Sequence, residues 1–128
     1  MGRSILKDKS KSFALRIICL YKYLCEEKKE YVMSKQVLRS GTSIGANIAE
    51  AFFAQSDADF AAKLQISRKE AGETIYWIEL LSESDYLDSK LADSLSKDCN
   101  ELLKLLTASI ITIRAKQSQK KIVDCPAN

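Results

Sequence analysis

Two short clusters hold the side chains most able to do chemistry: Arg39, Ser43, Asn47 and Glu50, and then Arg68, Glu70, Glu73 and Thr74. Paired carboxylates beside hydroxyls and a guanidinium suit acid–base work when a cleft and a nucleophile or metal accompany them. There is no histidine, and the four cysteines, Cys19, Cys25, Cys99 and Cys125, form no Cys-x-x-Cys pair. A zinc site of ordinary spacing and the Glu-x-x-His pair of di-iron bundles are therefore excluded, and no glycine-rich phosphate loop is present. The expectation is a protein that is not an enzyme and takes no cofactor or metal. Arg39, Ser43, Asn47, Glu50, Arg68, Glu70 and Glu73 then form a structural polar network that fixes helix register, with Arg39 or Arg68 pairing Glu50 or Glu70.

The elements that must carry these residues are helices. In the run from Ser34 to Ala51, Val37, Gly41, Ile44, Ile48 and Ala51 recur at steps of four and three, one face of an α-helix. Glycine inside a helix costs about 0.5 to 1 kcal/mol relative to alanine, so Gly41 and Gly45 call for the close approach of a neighbouring helix as compensation. Asn47 and Glu50 are expected against that neighbour rather than in solvent. Gly41-x-x-x-Gly45 also matches a membrane dimer motif, but the flanking charges exclude a span there.

Periodicity predicts four helices. The first starts near Asp8 to Ser12 and runs to about Lys29, with Phe13, Ile17, Leu20 and Leu24 on one stripe. The second follows Ser34, read as its N-cap, to about Ala54. The third is capped by Ser56 or Asp57 and carries Phe60, Leu64, Ala71, Ile75, Ile78 and Leu81. The fourth begins near Asp88 or Ser89, carries Leu91, Leu95, Leu102, Leu106, Ile110 and Ile113, and frays over Lys116 to Lys121. Short connections favour an all-α, antiparallel up-down-up-down four-helix bundle. With 128 residues and a lone proline, Pro126, the chain reads as a single domain over 1–128, its core about 8–118 and its C-terminal tail polar. Cys19 and Cys99 read as small core hydrophobes. No apolar stretch reaches the roughly 20 residues of a membrane span, and the basic N-terminus lacks a signal core, so a cytoplasmic protein with reduced thiols is expected.

The net charge of +3 is unevenly spread. The two ends, residues 1–12 and 114–128, hold eight basic residues against two acidic ones, whereas the middle holds twelve against fifteen. In an up-down-up-down bundle the first helix starts where the fourth ends. Lys7, Lys9, Lys11, Arg114, Lys116, Lys120 and Lys121 then share one pole, and Glu26, Glu27, Glu30, Glu83, Asp85 and Asp88 crowd the other. A basic pole is the footprint of a contact with RNA or DNA, and it is equally what solvated helix ends look like. No aromatic is interleaved in either basic tail, which argues against a stacking platform for single strands. Large apolar residues outnumber what one seam requires. Tyr21, Tyr23, Phe52, Phe53, Tyr76 and Trp77 flank the main stripes, and some are candidates for a homo-oligomer interface, with the first and third helices and Trp77 foremost.

Gln36, Arg39, Ser40, Ser43, Ile44, Asn47, Ile48 and Glu50 fit a pattern that resembles the signature of the S23, or 23S rRNA intervening-sequence, protein family. The resemblance continues through Arg68-Lys69-Glu70-Ala71-x-Glu73-Thr74-x-Tyr76-Trp77-x-x-Leu80-Leu81 and back through Phe13-Ala14-Leu15-Arg16-Ile17, over roughly residues 5–115. Gly45 stands where many members have proline, and Ala51 where many have glycine. The resemblance implies a four-helix bundle that assembles into a homopentamer. Some members are encoded inside intervening sequences of 23S rRNA genes, and a protein of the same fold is accessory to the reverse transcriptase of diversity-generating retroelements. It implies a scaffold or adaptor meeting nucleic acid, or alternatively a purely structural oligomer that binds a protein partner.

Overall fold

A stripe of large apolar side chains on each of four long segments leaves one way to remove them from water, which is to pack the segments against one another. The computed structural model describes the backbone of residues 2–124 and the side chains of residues 5–119. Four helices follow in order: α1 (Gly2–Glu26), α2 (Met33–Ala51), α3 (Asp57–Glu83) and α4 (Ser89–Asp124). No strand occurs among the described residues.

Each helix packs on its sequence neighbours, and α1 closes the ring against α4. Cross-helix contacts fix antiparallel directions throughout. Residues 17 and 10 of α1 face 41 and 45 of α2. Arg39 and Glu50 of α2 meet Glu73 and Lys63 of α3, Ala71 of α3 meets Cys99 of α4, and Lys9 and Arg16 of α1 meet Glu101 and Asp98 of α4. The core runs continuously from Leu6 through Phe13, Ile17, Ile44, Leu64, Ile78 and Leu102 to Ile113.

Helix starts differ from the sequence reading in informative ways. Leu6 is buried and extends the α1 stripe by two turns, so α1 begins at Gly2 rather than near Asp8, and it ends at Glu26. Ser34 does not cap α2. The Glu30 carboxylate does, accepting from the amides of Val32, Met33 and Ser34 at 3.2, 3.1 and 2.7 Å. Ser34 is buried instead, 3.7 Å from the Cys25 thiol. Ser56 caps α3 through the Asp59 amide at 3.1 Å, as expected, and Asp88 caps α4 through the Leu91 amide at 2.7 Å. Helix α4 does not fray at Lys116 but continues to Asp124. The α1–α2 and α3–α4 turns each use one non-glycine residue of positive φ, Lys29 at 53° and Asp85 at 66°.

Gly41 and Gly45 both face α1. A Cβ at Gly41 would lie 2.8 Å from Cγ1 and Cγ2 of Ile17, and one at Gly45 would lie 3.4 Å from the Ser10 carbonyl oxygen. The close approach inferred from the glycines is the α1–α2 contact. No helix among the described residues is long and apolar enough to cross a membrane.

Candidate nucleic-acid interface

The antiparallel order brings the start of α1, the end of α2, the start of α3 and the end of α4 to one end of the bundle. Lys7, Lys9, Lys11, Arg114 and Lys116 all lie toward it, each with an exposed side chain. Lys116 Nζ is 3.7 Å from Asp57, the first residue of α3, so α4 runs past the α3 start. The eight residues 117–124 add about 12 Å of helix beyond that point. The side chains of Lys120 and Lys121 fall outside the described residues.

Sharing an end does not put these cations on one face. Lys9 points toward α4 and pairs with Glu101, whose hydrogen bond and charge raise the lysine pKa. Lys7 and Lys11 point the other way, into a cleft between α1 and α2 of about 360 Å³, floored by Ala14, Thr42, Gly45 and Ala49. Lys7 Nζ stands 4.8 Å from the centroid of the Phe52 ring, a cation–π contact between α1 and the end of α2. Phe52 in turn meets Phe60 edge-on at 6.1 Å. Among the acidic residues assigned to the opposite pole, Glu30 is 8% exposed and occupied with the α2 amides, and Asp88 is a helix cap.

The residues assigned to the polar network are arranged differently from the expectation. Arg39 reaches from α2 to two carboxylates of α3, donating to Glu70 at 3.0 Å and to Glu73, while Trp77 Nε1 donates to the same Glu73 oxygen at 2.9 Å. Ser43 and Asn47 bond backward within their own helix, to the carbonyls of Arg39 at 2.7 Å and Ser43 at 2.9 Å. Glu50 is exposed rather than packed against a neighbour, and its partner is Lys63 of α3 at 3.2 Å. Arg68 is exposed and does not pair with Glu50 or Glu70. The buried polar contacts between α2 and α3 join Thr74 of the second cluster to Ser40, their hydroxyls sharing a hydrogen bond of 2.9 Å, and add Ser67, which donates to the Ile44 carbonyl at 2.8 Å. A single guanidinium thus bridges two carboxylates across the α2–α3 contact. No cluster of potential metal ligands occurs among the described residues.

Cys99 is buried, donates to the Ala71 carbonyl at 3.3 Å, and is pushed up to about 12 by desolvation and the nearby Asp98 charge. Cys19 is exposed, which corrects its assignment to the core. It lies on the wall of an apolar groove of about 510 Å³ between α1 and α4, with Leu15, Tyr23, Leu91 and Leu95. Trp77 is half-buried against the core, and its neighbour Tyr76 is the exposed member of that aromatic pair.

The sequence pattern that defines the family described as 23S rRNA-intervening sequence protein matches residues 3–108. The chain belongs to that family. It is also similar to a crystal structure from Bacteroides thetaiotaomicron VPI-5482, titled as a protein with unknown function from the S23 ribosomal protein family. The two share 55% sequence identity and a TM-score of 0.85 over 86% of this chain and 98% of that one. No curated protein matches the chain. For this member of the 23S rRNA-intervening sequence family, the matched region spans α1 through most of α4 and both arms of the Arg39 clamp, and it stops short of Arg114.

Proposed function

We propose that the chain is a non-catalytic, cytoplasmic adaptor that assembles with copies of itself and binds RNA or DNA through its basic end. The observation that carries this reading is the helix register, which sets Lys7, Lys9 and Lys11 of α1 at the same end as Arg114 and Lys116 of α4. The ion pairs there are solvent-exposed, and such pairs are worth about 0 to 1 kcal/mol, so phosphates can displace them. A homopentamer, the assembly implied by the family resemblance, would repeat the basic end around a ring and add weak contacts by avidity.

The test is binding of labelled RNA and DNA across a series of salt concentrations. Replacing Arg114, Lys116, Lys120 and Lys121 together by glutamine should weaken binding to any sequence. It should also flatten the salt slope by about 0.7 to 0.9 for each residue that touches a phosphate, with helicity intact. Absence of binding at low salt, where screening is least, would remove the nucleic-acid reading.

A second reading, a structural oligomer that binds a protein partner without touching nucleic acid, is favoured by the α1–α4 groove. Leu15 is 56% exposed there and Tyr23 38%. Light scattering decides the assembly shared by both readings, since a mass of 14.4 kDa at micromolar concentration would defeat it.

A further inference from the structure

Phe53 is 87% exposed, more than any other large apolar side chain among the described residues. Its backbone is not loose. Its amide donates to the Glu50 carbonyl at 2.9 Å, and the next amide, of Ala54, donates to Ala51 at 3.1 Å, so the turn after α2 holds the ring out in water on a fixed base. The preceding residue explains where that base sits. Phe52 is held from two sides, by Phe60 at 6.1 Å and by the Lys7 ammonium at 4.8 Å, and consecutive Cα atoms are about 3.8 Å apart. Phe53 follows the ring that Lys7 covers and stands four residues, about one turn, beyond the cleft residue Ala49, so it leaves the chain at the basic end, next in line after Gly45 and Ala49. The first two helical turns of α1 and the end of α2 supply together what neither basic tail contains in sequence, an aromatic face next to cations.

We propose that this end binds single-stranded nucleic acid, its phosphate backbone lying in the α1–α2 cleft at Lys7 and Lys11 and one base stacked on the Phe53 ring. This rests on the nucleic-acid reading above and names the form of the ligand. Lys7 and Lys11 stand one turn apart, about 6 Å along α1, on the same wall of the 360 Å³ cleft. Small residues, Ala14, Gly45 and Ala49, keep its floor open to a bulky chain. Asp8 also lines the cleft, and it leaves the pair of lysines with a net positive charge. A phenyl ring reads no hydrogen-bond pattern, so stacking on it is tolerant of sequence, and it requires a base whose face is free, which a duplex does not offer. Lys9 is not part of this surface because it pairs with Glu101 on the other side of α1.

The experiment titrates fluorescein-labelled oligo(dT), oligo(U) and a hairpin duplex with the full chain and its variants, by anisotropy at several salt concentrations. Phe53→Ala should lower affinity for both single strands by about 5- to 100-fold, leave their salt slope unchanged and leave the duplex unaffected, and Phe53→Tyr should restore binding. The double variant Lys7→Gln with Lys11→Gln should instead flatten the single-strand slope by about 1.4. Since Phe53 is exposed, its replacement leaves folding intact, which circular dichroism verifies. Unchanged single-strand affinity in Phe53→Ala overturns the proposal, and if the mass by light scattering falls at the same time, the ring covers another copy of the chain instead. A wild-type chain that binds no nucleic acid at low salt ends both this proposal and the reading beneath it. Binding lost on replacing Arg114 and Lys116 but kept in Phe53→Ala ends this one alone.

Discussion

Along its contact with α2, α1 lies so close that a methyl group at Gly41 would fall 2.8 Å from two carbons of Ile17. Along its contact with α4, the same helix leaves a groove of about 510 Å³ whose floor is Leu20 and Leu95 and whose walls are Leu15, Cys19, Tyr23 and Leu91. Both seams are apolar, and they differ in the size of the side chains at the crossing. Glycine and Ser10 let the α1 and α2 backbones approach, whereas leucines and a tyrosine keep α1 and α4 apart and leave their own outer faces wet. The two exposed bridges, Lys9 to Glu101 and Arg16 to Asp98, cross the open seam near its surface. The closed seam admits only small residues at its crossing, and the open one leaves large apolar side chains in water.

The largest expected effect is at the closed seam. Gly41→Leu should destabilise the chain by about 3 kcal/mol, the upper part of the usual range for overpacking, because its very first carbon already collides with a buried, β-branched neighbour. Leu15→Ala, in the wall of the open groove, should cost far less, since that side chain is already 56% exposed. Urea unfolding of the two variants measures the difference, and equal losses would mean that the seams are packed alike.

How much of this was legible in the sequence follows from the same contrast. The step of three and four residues marked every core stripe, and the two glycines marked the closed seam, because periodicity and glycine cost are local properties of one helix. Cys19 sits among apolar residues as Cys99 does, yet only Cys99 is buried. Whether a flanking position is covered depends on how closely the next helix comes, which no single helix records. The cap rule looks for a small polar residue at the boundary and so points to Ser34, whereas here a longer carboxylate, Glu30, reaches forward from the turn. Lys7, Lys9, Lys11 and Lys116 lie toward one end of the bundle. Their division between the α2 and α4 sides of α1 required the register. Two adjacent phenylalanines at a helix end were the available signal for Phe53, since residues about 100° apart cannot both point to one core.

The cysteines turn the comparison into a titration. Cys99 faces the closed α3–α4 contact and is pushed up to about 12, while an unfolded thiol loses its proton near pH 9. Its folded pKa is the higher of the two, so the stability it contributes is complete below about pH 9 and is lost as pH rises toward 12. Within that window the folding equilibrium constant should fall roughly tenfold per pH unit from this group alone. Cys99→Ala should remove that part of the alkaline slope. Under native conditions at neutral pH, iodoacetamide should label Cys19 in the open groove and spare Cys99, as mass mapping of tryptic peptides would show. Rapid native labelling of Cys99 would mean that the α3–α4 contact opens as readily as the groove.

The smallest effect lies in the bridges over the open seam. Arg16 donates to Asp98 at 2.6 Å and to the Ser94 hydroxyl at 3.1 Å, but both charged side chains are more than a third exposed, at 35% and 41%. Coulomb attraction in so wet a site is screened by salt and offset by the entropy of holding two side chains still, which leaves about 0.5 kcal/mol. Arg16→Met keeps the aliphatic stem that covers the groove floor and removes only the charge. That variant should therefore lose about this amount in dilute buffer and almost nothing in molar salt. A loss of several kcal/mol that persists in salt would mean that the pair is desolvated in solution, and hence that a partner covers the groove and makes the open seam a closed one in the assembled protein.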